Sequence, residues 1–179
     1  MRVKVAVCCA ALLGLLVSPA MATIGVTPEP AYQEIDMGLG EVATIEIYAD
    51  IPEADAIIGF GFDADPMYGL LDWPGAFVAG PLFTGLGVSP DGDGIAAYTL
   101  DPVFGDDILL GTLTFTPVAG GLEKIALGNT AGDLTEGFPL VTVGGFADVV
   151  YTCADVNIIP EPATLTLLAL GGLALLRRR

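Results

Sequence analysis

Residues 42–48 read Val42-Ala43-Thr44-Ile45-Glu46-Ile47-Tyr48, so Ala43, Ile45 and Ile47 alternate with Thr44, Glu46 and Tyr48. A period of two belongs to a β-strand that turns one face to a core and the other to water. The pattern returns at Leu109 to Thr116, with Leu109, Gly111, Leu113 and Phe115 on one face and Leu110, Thr112, Thr114 and Thr116 on the other. Ile58, Phe60 and Phe62 make a third inward row. Shorter runs follow at Ile95 to Leu100, Leu122 to Leu127, Leu140 to Val143 and Ala147 to Thr152, separated by turn clusters such as Pro90-Asp91-Gly92-Asp93-Gly94 and Ala119-Gly120-Gly121. Many short strands punctuated by Gly, Pro and Asp predict an all-β fold, a β-sandwich. No stretch between them has a helical period, and no tandem repeat points to a solenoid. The 137 residues from Thr23 to Ile159 include 21 Gly and 10 Pro, close to low-complexity density, yet the alternation argues for a folded domain. That length suffices for two packed sheets around a core.

Charge narrows the function. Of 22 acidic residues 21 fall between Thr23 and Ile159, against the single base Lys124, so this span is 20 units negative. Phosphate recognition needs clustered cations, which excludes a nucleic-acid or anionic-membrane surface there. The chain has no His, and its only Ser besides Ser18 is Ser89, so serine–histidine chemistry and a His-ligated metal are excluded as well.

The remaining bases stand at the two ends. Arg2 and Lys4 precede an uncharged run from Val5 to Val17 and then Pro19-Ala20-Met21-Ala22. A cationic start, a short apolar run and small residues at Ala20 and Ala22 are the three parts of a secretory signal, with signal peptidase cutting before Thr23. Thirteen apolar residues at ~1.5 Å each are too short for a ~30 Å hydrocarbon core. Cys8 and Cys9 leave with the signal, and the mature chain keeps only Cys153. At the other end Ile159-Pro160-Glu161-Pro162 leads into Ala163 to Leu176 without a charge, then Arg177-Arg178-Arg179. Fourteen residues span ~21 Å as a helix, a short transmembrane anchor that works if the arginines snorkel and the bilayer thins. Positive charge stays cytoplasmic, so the acidic domain belongs on the outer side of the inner membrane.

Pro160-Glu161-Pro162-Ala163-Thr164-Leu165, the Leu-rich segment with Gly171-Gly172 and the terminal arginines resemble, in that order, the PEP-CTERM sorting signal of exosortase substrates in Gram-negative bacteria. Pro28-Glu29-Pro30 repeats the tripeptide but is followed by neither apolar segment nor basic cluster, and reads as an extended lead-in. The resemblance implies that Pro160, Glu161 and Pro162 are the recognition element, that Arg177, Arg178 and Arg179 hold the topology, and that a cysteine-dependent, sortase-like exosortase removes the tail. The expected organisation is a signal peptide at 1–22, a β-sandwich at 23–157 and the sorting signal at 158–179.

The strand at 42–48, then Ile58-Gly59-Phe60-Gly61-Phe62-Asp63-Ala64-Asp65-Pro66 leading into Leu70-Leu71, and later Leu110-Gly111-Thr112-Leu113-Thr114-Phe115-Thr116 followed by a Gly turn and the strand at Ile125, resemble in order the cohesin-like, jelly-roll type β-sandwich of extracellular bacterial proteins. Dockerin binding does not follow from this likeness.

Three acidic clusters stand out: Asp63 with Asp65, Asp91 with Asp93, and Asp106 with Asp107. Asp91-Gly92-Asp93-Gly94 offers two carboxylates on a flexible turn, and calcium, bound weakly, is the only cofactor the sequence suggests. The same residues make an Asp-Gly hairpin turn from the backbone alone, and that reading takes precedence. A structural calcium site shared between loops that the fold brings together is the other arrangement. The sequence therefore reads as an exported, non-enzymatic protein, anchored in the inner membrane on its periplasmic side and then carried to the cell surface or outside. Its partners are signal peptidase, the exosortase and an exopolysaccharide or biofilm matrix in which it is structural or adhesive. The rival is a secreted carbohydrate-active enzyme or carbohydrate-binding module using an acidic pair, with Tyr68 or Trp73 stacked on a sugar.

Overall fold

The computed structural model describes residues 23–87, 94–130, 133, 136–141 and 144–161. Eleven strands are present among them: β1 (Ile24–Glu29), β2 (Tyr32–Asp36), β3 (Ala43–Ile51), β4 (Ile57–Pro66), β5 (Leu71–Ala79), β6 (Thr84–Gly87), β7 (Ile95–Val103), β8 (Gly105–Pro117), β9 (Gly121–Gly128), β10 (Val149–Tyr151) and β11 (Ala154–Ile159). Single 3₁₀ turns at Met37–Leu39 and Glu53–Asp55 are the helical elements among the described residues. None of the described helices is long and apolar enough to cross a membrane. The expected signal helix and C-terminal membrane helix fall in 1–22 and 162–179, outside the described residues.

The strands form two sheets. One runs β10-β1-β3-β8-β5 and the other β2-β11-β9-β4-β7-β6. Most neighbours are antiparallel, but β1 lies parallel to β10 and β2 parallel to β11. The domain thus begins in one sheet and crosses to the other between β1 and β2, and near its end makes the same crossing between β10 and β11. The crossings tie the two ends of the domain together in both layers.

Alternation builds the core between the sheets. Ala43, Ile45, Ile47, Ala49 and Ile51 of β3 are buried, as are Ala154, Val156 and Ile158 of β11. Phe62, Phe115 and Phe138 are wholly buried, each contributing about 3 kcal/mol relative to exposure. Phe60 meets Phe83 edge-on with ring centroids 4.9 Å apart and stacks on Phe62 at 5.7 Å.

Two inward rows differ from the sequence reading, and β-bulges are the cause. The β4–β7 register shifts between Ile57 and Gly59, which buries Ile57 and leaves Ile58 41% exposed. Opposite β3, the register jumps from Ile47↔Gly111 to Tyr48↔Leu109. The extra residue, Leu110, turns into the core with Gly111, Leu113 and Phe115, while Leu109 moves to a half-buried position. An inserted residue breaks the period of two, so alternation cannot be carried through it. Leu140 makes an isolated bridge to Ile57 rather than part of a strand, and residues 142–143 of that run lie outside the described residues. Strands β2, β5 and β6 carry too little uninterrupted alternation to stand out in sequence, whereas β1 and β11 do alternate, through Ile24 and Val26 and through Ala154, Val156 and Ile158, and sequence reasoning passed over them. The Pro28-Glu29 lead-in is the end of β1.

Candidate functional site

The sandwich ends where the Pro160-Glu161-Pro162 tail begins. β11 lies inside its sheet, paired with β9 on one side and with β2 on the other, down to Ile159↔Asp36. Pro160 has no N–H to continue that ladder, and the strand stops. Pro160 and Glu161 are exposed yet seated on the domain: a Cβ built on Gly120 would overlap the Pro160 ring, and one on Gly38 would overlap the Glu161 side chain. Glycine is the residue that allows so close an approach. Pro162 and Arg177, Arg178 and Arg179 lie outside the described residues, as do Ala20 and Ala22 at the expected signal cleavage site and the calcium candidates Asp91 and Asp93.

The acidic residues of the domain divide by what they hold. Glu123 is 0% exposed, and its carboxylate accepts the backbone N–H groups of Tyr68 (2.7 Å), Leu70 (2.6 Å) and Lys124 (2.8 Å). It clamps the turn after β4 onto β9. Lys124, the single base of this span, faces Asp155 across the β9–β11 pair with Nζ 2.9 Å from Oδ1. In Asp106-Asp107 the Asp107 N–H donates to Asp50 Oδ1 at 3.0 Å, which fixes the start of β8 against β3.

A second cluster joins four places in the chain. Asp63 on β4 accepts the Gly94 N–H at Oδ1 (3.0 Å) and the Thr130 hydroxyl at Oδ2 (3.2 Å). Glu136 accepts the Thr130 N–H at Oε2, so the Asp63 and Glu136 carboxyls are both held by Thr130. Burial, and then the charge of Asp63, hold the Glu136 carboxyl above its ordinary value of 4.5, against the Thr130 N–H that lowers it. Burial, reinforced by Asp63 and Glu136, pushes the Tyr151 hydroxyl up as well. Asp65, the sequence partner of Asp63, is on the exposed face of β4.

Tyr68 and Trp73, weighed for sugar chemistry, stand in different surroundings. Trp73 packs edge-on against Phe115, centroids 4.7 Å apart, and Tyr68 is on the exposed turn held by Glu123. An open depression of about 240 Å³ on the outer face of β1 and β3 is lined by Gly25, Thr27, Glu29, Tyr48, Asp50 and Asp107. Its Tyr48 hydroxyl donates to Glu46 at 2.6 Å and its Asp50 holds the Asp107 N–H, so these groups serve the sheet surface.

Sequence reasoning missed Glu123, Thr130, Glu136 and Tyr151. Glu123 had a signal: in Leu122-Glu123-Lys124-Ile125 it occupies the inward phase shared with Ile125 and Leu127, and a carboxylate in a core phase must be paired. Glu136 is in a connection without periodicity, and nothing local marks it.

A family model for the PEP-CTERM protein-sorting motif matches residues 159–179. The chain carries a PEP-CTERM sorting motif. Its match begins at Ile159, the last residue of β11, so the PEP-CTERM segment is continuous with the sandwich. No curated protein matches the chain. Among solved structures, the sandwich is similar to the seventh ScaB type I cohesin of Pseudobacteroides cellulosolvens, with a TM-score of 0.56 and 13% identity over 78% of this chain and 94% of that one. It is similar to a cohesin module from a Clostridium perfringens family 33 glycoside hydrolase, with a TM-score of 0.57 and 12% identity over 78% and 98%. A non-cellulosomal cohesin from the archaeon Archaeoglobus fulgidus gives 0.53 and 11% over 81% and 97%. At such identities the likeness establishes the fold, a cohesin-like β-sandwich in front of a PEP-CTERM motif.

Proposed function

We propose that this is an exported protein that an exosortase sorts by its PEP-CTERM tail, and that the sandwich is a non-catalytic module presented at the cell surface or in the extracellular polymer matrix, where it acts by adhesion or structural association. The observation that carries the reading is the motif at 159–179 beginning on the last residue of the last strand. With only Pro160-Glu161-Pro162 between β11 and the apolar run from Ala163, an anchor in the inner membrane would hold the domain against the periplasmic face until processing. Arginines 177–179 would stay cytoplasmic, since carrying three cations through hydrocarbon is costly. The cohesin-like fold supports a binding module. An exopolysaccharide is the partner proposed for the outer surface.

The test is Pro160→Ala with Pro162→Ala in the full chain, expressed in a host that contains the exosortase, followed by mass spectrometry of the membrane and extracellular fractions. Membrane insertion should persist while the tail is retained. Tail removal at the wild-type rate would overturn the sorting assignment.

A further inference from the structure

Asp63 and Glu136 bring two carboxyl groups together inside a domain whose single base, Lys124, is paired with Asp155. Every oxygen of this cluster but two has a partner. Asp63 Oδ1 takes the Gly94 N–H, Asp63 Oδ2 takes the Thr130 hydroxyl, and Glu136 Oε2 takes the Thr130 N–H. The exceptions are Glu136 Oε1 and the Tyr151 hydroxyl, both buried without a hydrogen-bond partner. Glu136 is only 3% exposed, so Oε1 has no ready access to bulk water. A buried carboxylate oxygen left unpaired beside a second carboxylate is costly, and the cost is removed by a positive charge or a proton between the two.

We propose that Asp63, Glu136 and the Thr130 hydroxyl bind a divalent cation, with calcium preferred over magnesium. The donors are all hard oxygens from different segments, which suits the adaptable coordination of calcium better than the strict octahedron of magnesium. Among the described residues no three His, Cys, Asp or Glu side chains gather into a metal-binding group. A site of two carboxylates and a hydroxyl has few charged ligands and belongs with extracellular modules, at a Kd of about 0.1–1 mM. The cation would hold the start of β7, fixed through Gly94, together with Thr130 and Glu136 onto β4. It would thus act as a structural clamp, and it is independent of the sorting tail.

The full chain in detergent is titrated with calcium chloride and, separately, with magnesium chloride at matched ionic strength, following the melting temperature. Calcium should raise it with half-effect at about 0.1–1 mM, and magnesium should fall well short. Glu136→Gln is near-isosteric and removes a buried charge. It should fold, melt no lower than wild type without calcium, and lose the calcium-specific rise. Terbium supplies a direct reading: its emission, sensitised by the neighbouring phenol, should drop several-fold in Tyr151→Phe and be displaced by calcium. Equal shifts from both ions, which screening of 20 negative charges would give, overturn the proposal. So does a calcium-specific rise that survives Glu136→Gln, or one that disappears with Asp91→Asn and Asp93→Asn while Glu136 is intact.

Discussion

Replacing Glu123 by Ala should be among the most damaging single changes in this domain outside its aliphatic core. The carboxylate accepts three backbone N–H groups at 2.6–2.8 Å and is 0% exposed. A hydrogen bond to a charged group contributes ~1.5–3 kcal/mol, and an unsatisfied N–H costs ~1–3 kcal/mol. Alanine leaves the Tyr68 and Leu70 donors without an acceptor at the turn joining β4 to β5. Removing a buried charge recovers part of that loss through its desolvation, which gives a net loss of about 3 kcal/mol. For a domain of this size 1 kcal/mol corresponds to roughly 4 °C, so the midpoint should fall by about 12 °C. Glutamine keeps one acceptor oxygen but turns an amide N–H₂ toward a backbone donor, and should lose about half as much. The assay is thermal unfolding of the full chain followed by circular dichroism, with wild type, Glu123→Gln and Glu123→Ala in one buffer. An alanine variant within ~1 kcal/mol of wild type would refute the clamp. A glutamine variant as unstable as alanine would refute the argument from acceptor count.

The bulge in β8 makes adjacent leucines unequal: Leu110→Ala should cost about 2–5 kcal/mol, whereas Leu109→Ala should cost under ~1.5 kcal/mol, and equal losses in urea denaturation would contradict the register. Because the Glu136 carboxyl is raised in the folded state, the fold holds that proton to higher pH than the unfolded chain does. In chelator, its contribution to stability should therefore decline as pH rises above 4.5 toward the folded value. Glu136→Gln should melt above wild type at pH 7 and lose the advantage below about pH 4, and a pH-independent difference between the two would contradict this. Neutral residues at 177–179 should disorder the topology of the tail, seen as mixed protease accessibility on the two sides of the membrane, together with loss of processing. Uniform orientation and normal maturation would remove the topological argument.

The sequence by itself determined the class of the fold and the address of the protein, because both are written in local patterns. Alternation at 43–47 and 111–115 needs only the pleat of a strand to be read, and the tail needs only contiguous residues: a tripeptide, an apolar run and a cationic end. The tertiary structure decided where those patterns break and which distant groups meet. A bulge is an agreement between two strands about an extra residue, so neither Leu110 in the core nor Ile58 on the surface can be inferred from one strand alone. The seat of Pro160 and Glu161 on Gly120 and Gly38 likewise depends on loops 40 and 123 residues away in sequence. Asp63, Thr130, Glu136 and Tyr151 come from a strand, a turn, a bridge segment and a crossing strand of the opposite sheet. Their charges interact because two sheets are pressed together, burying carboxyls that water would otherwise keep apart.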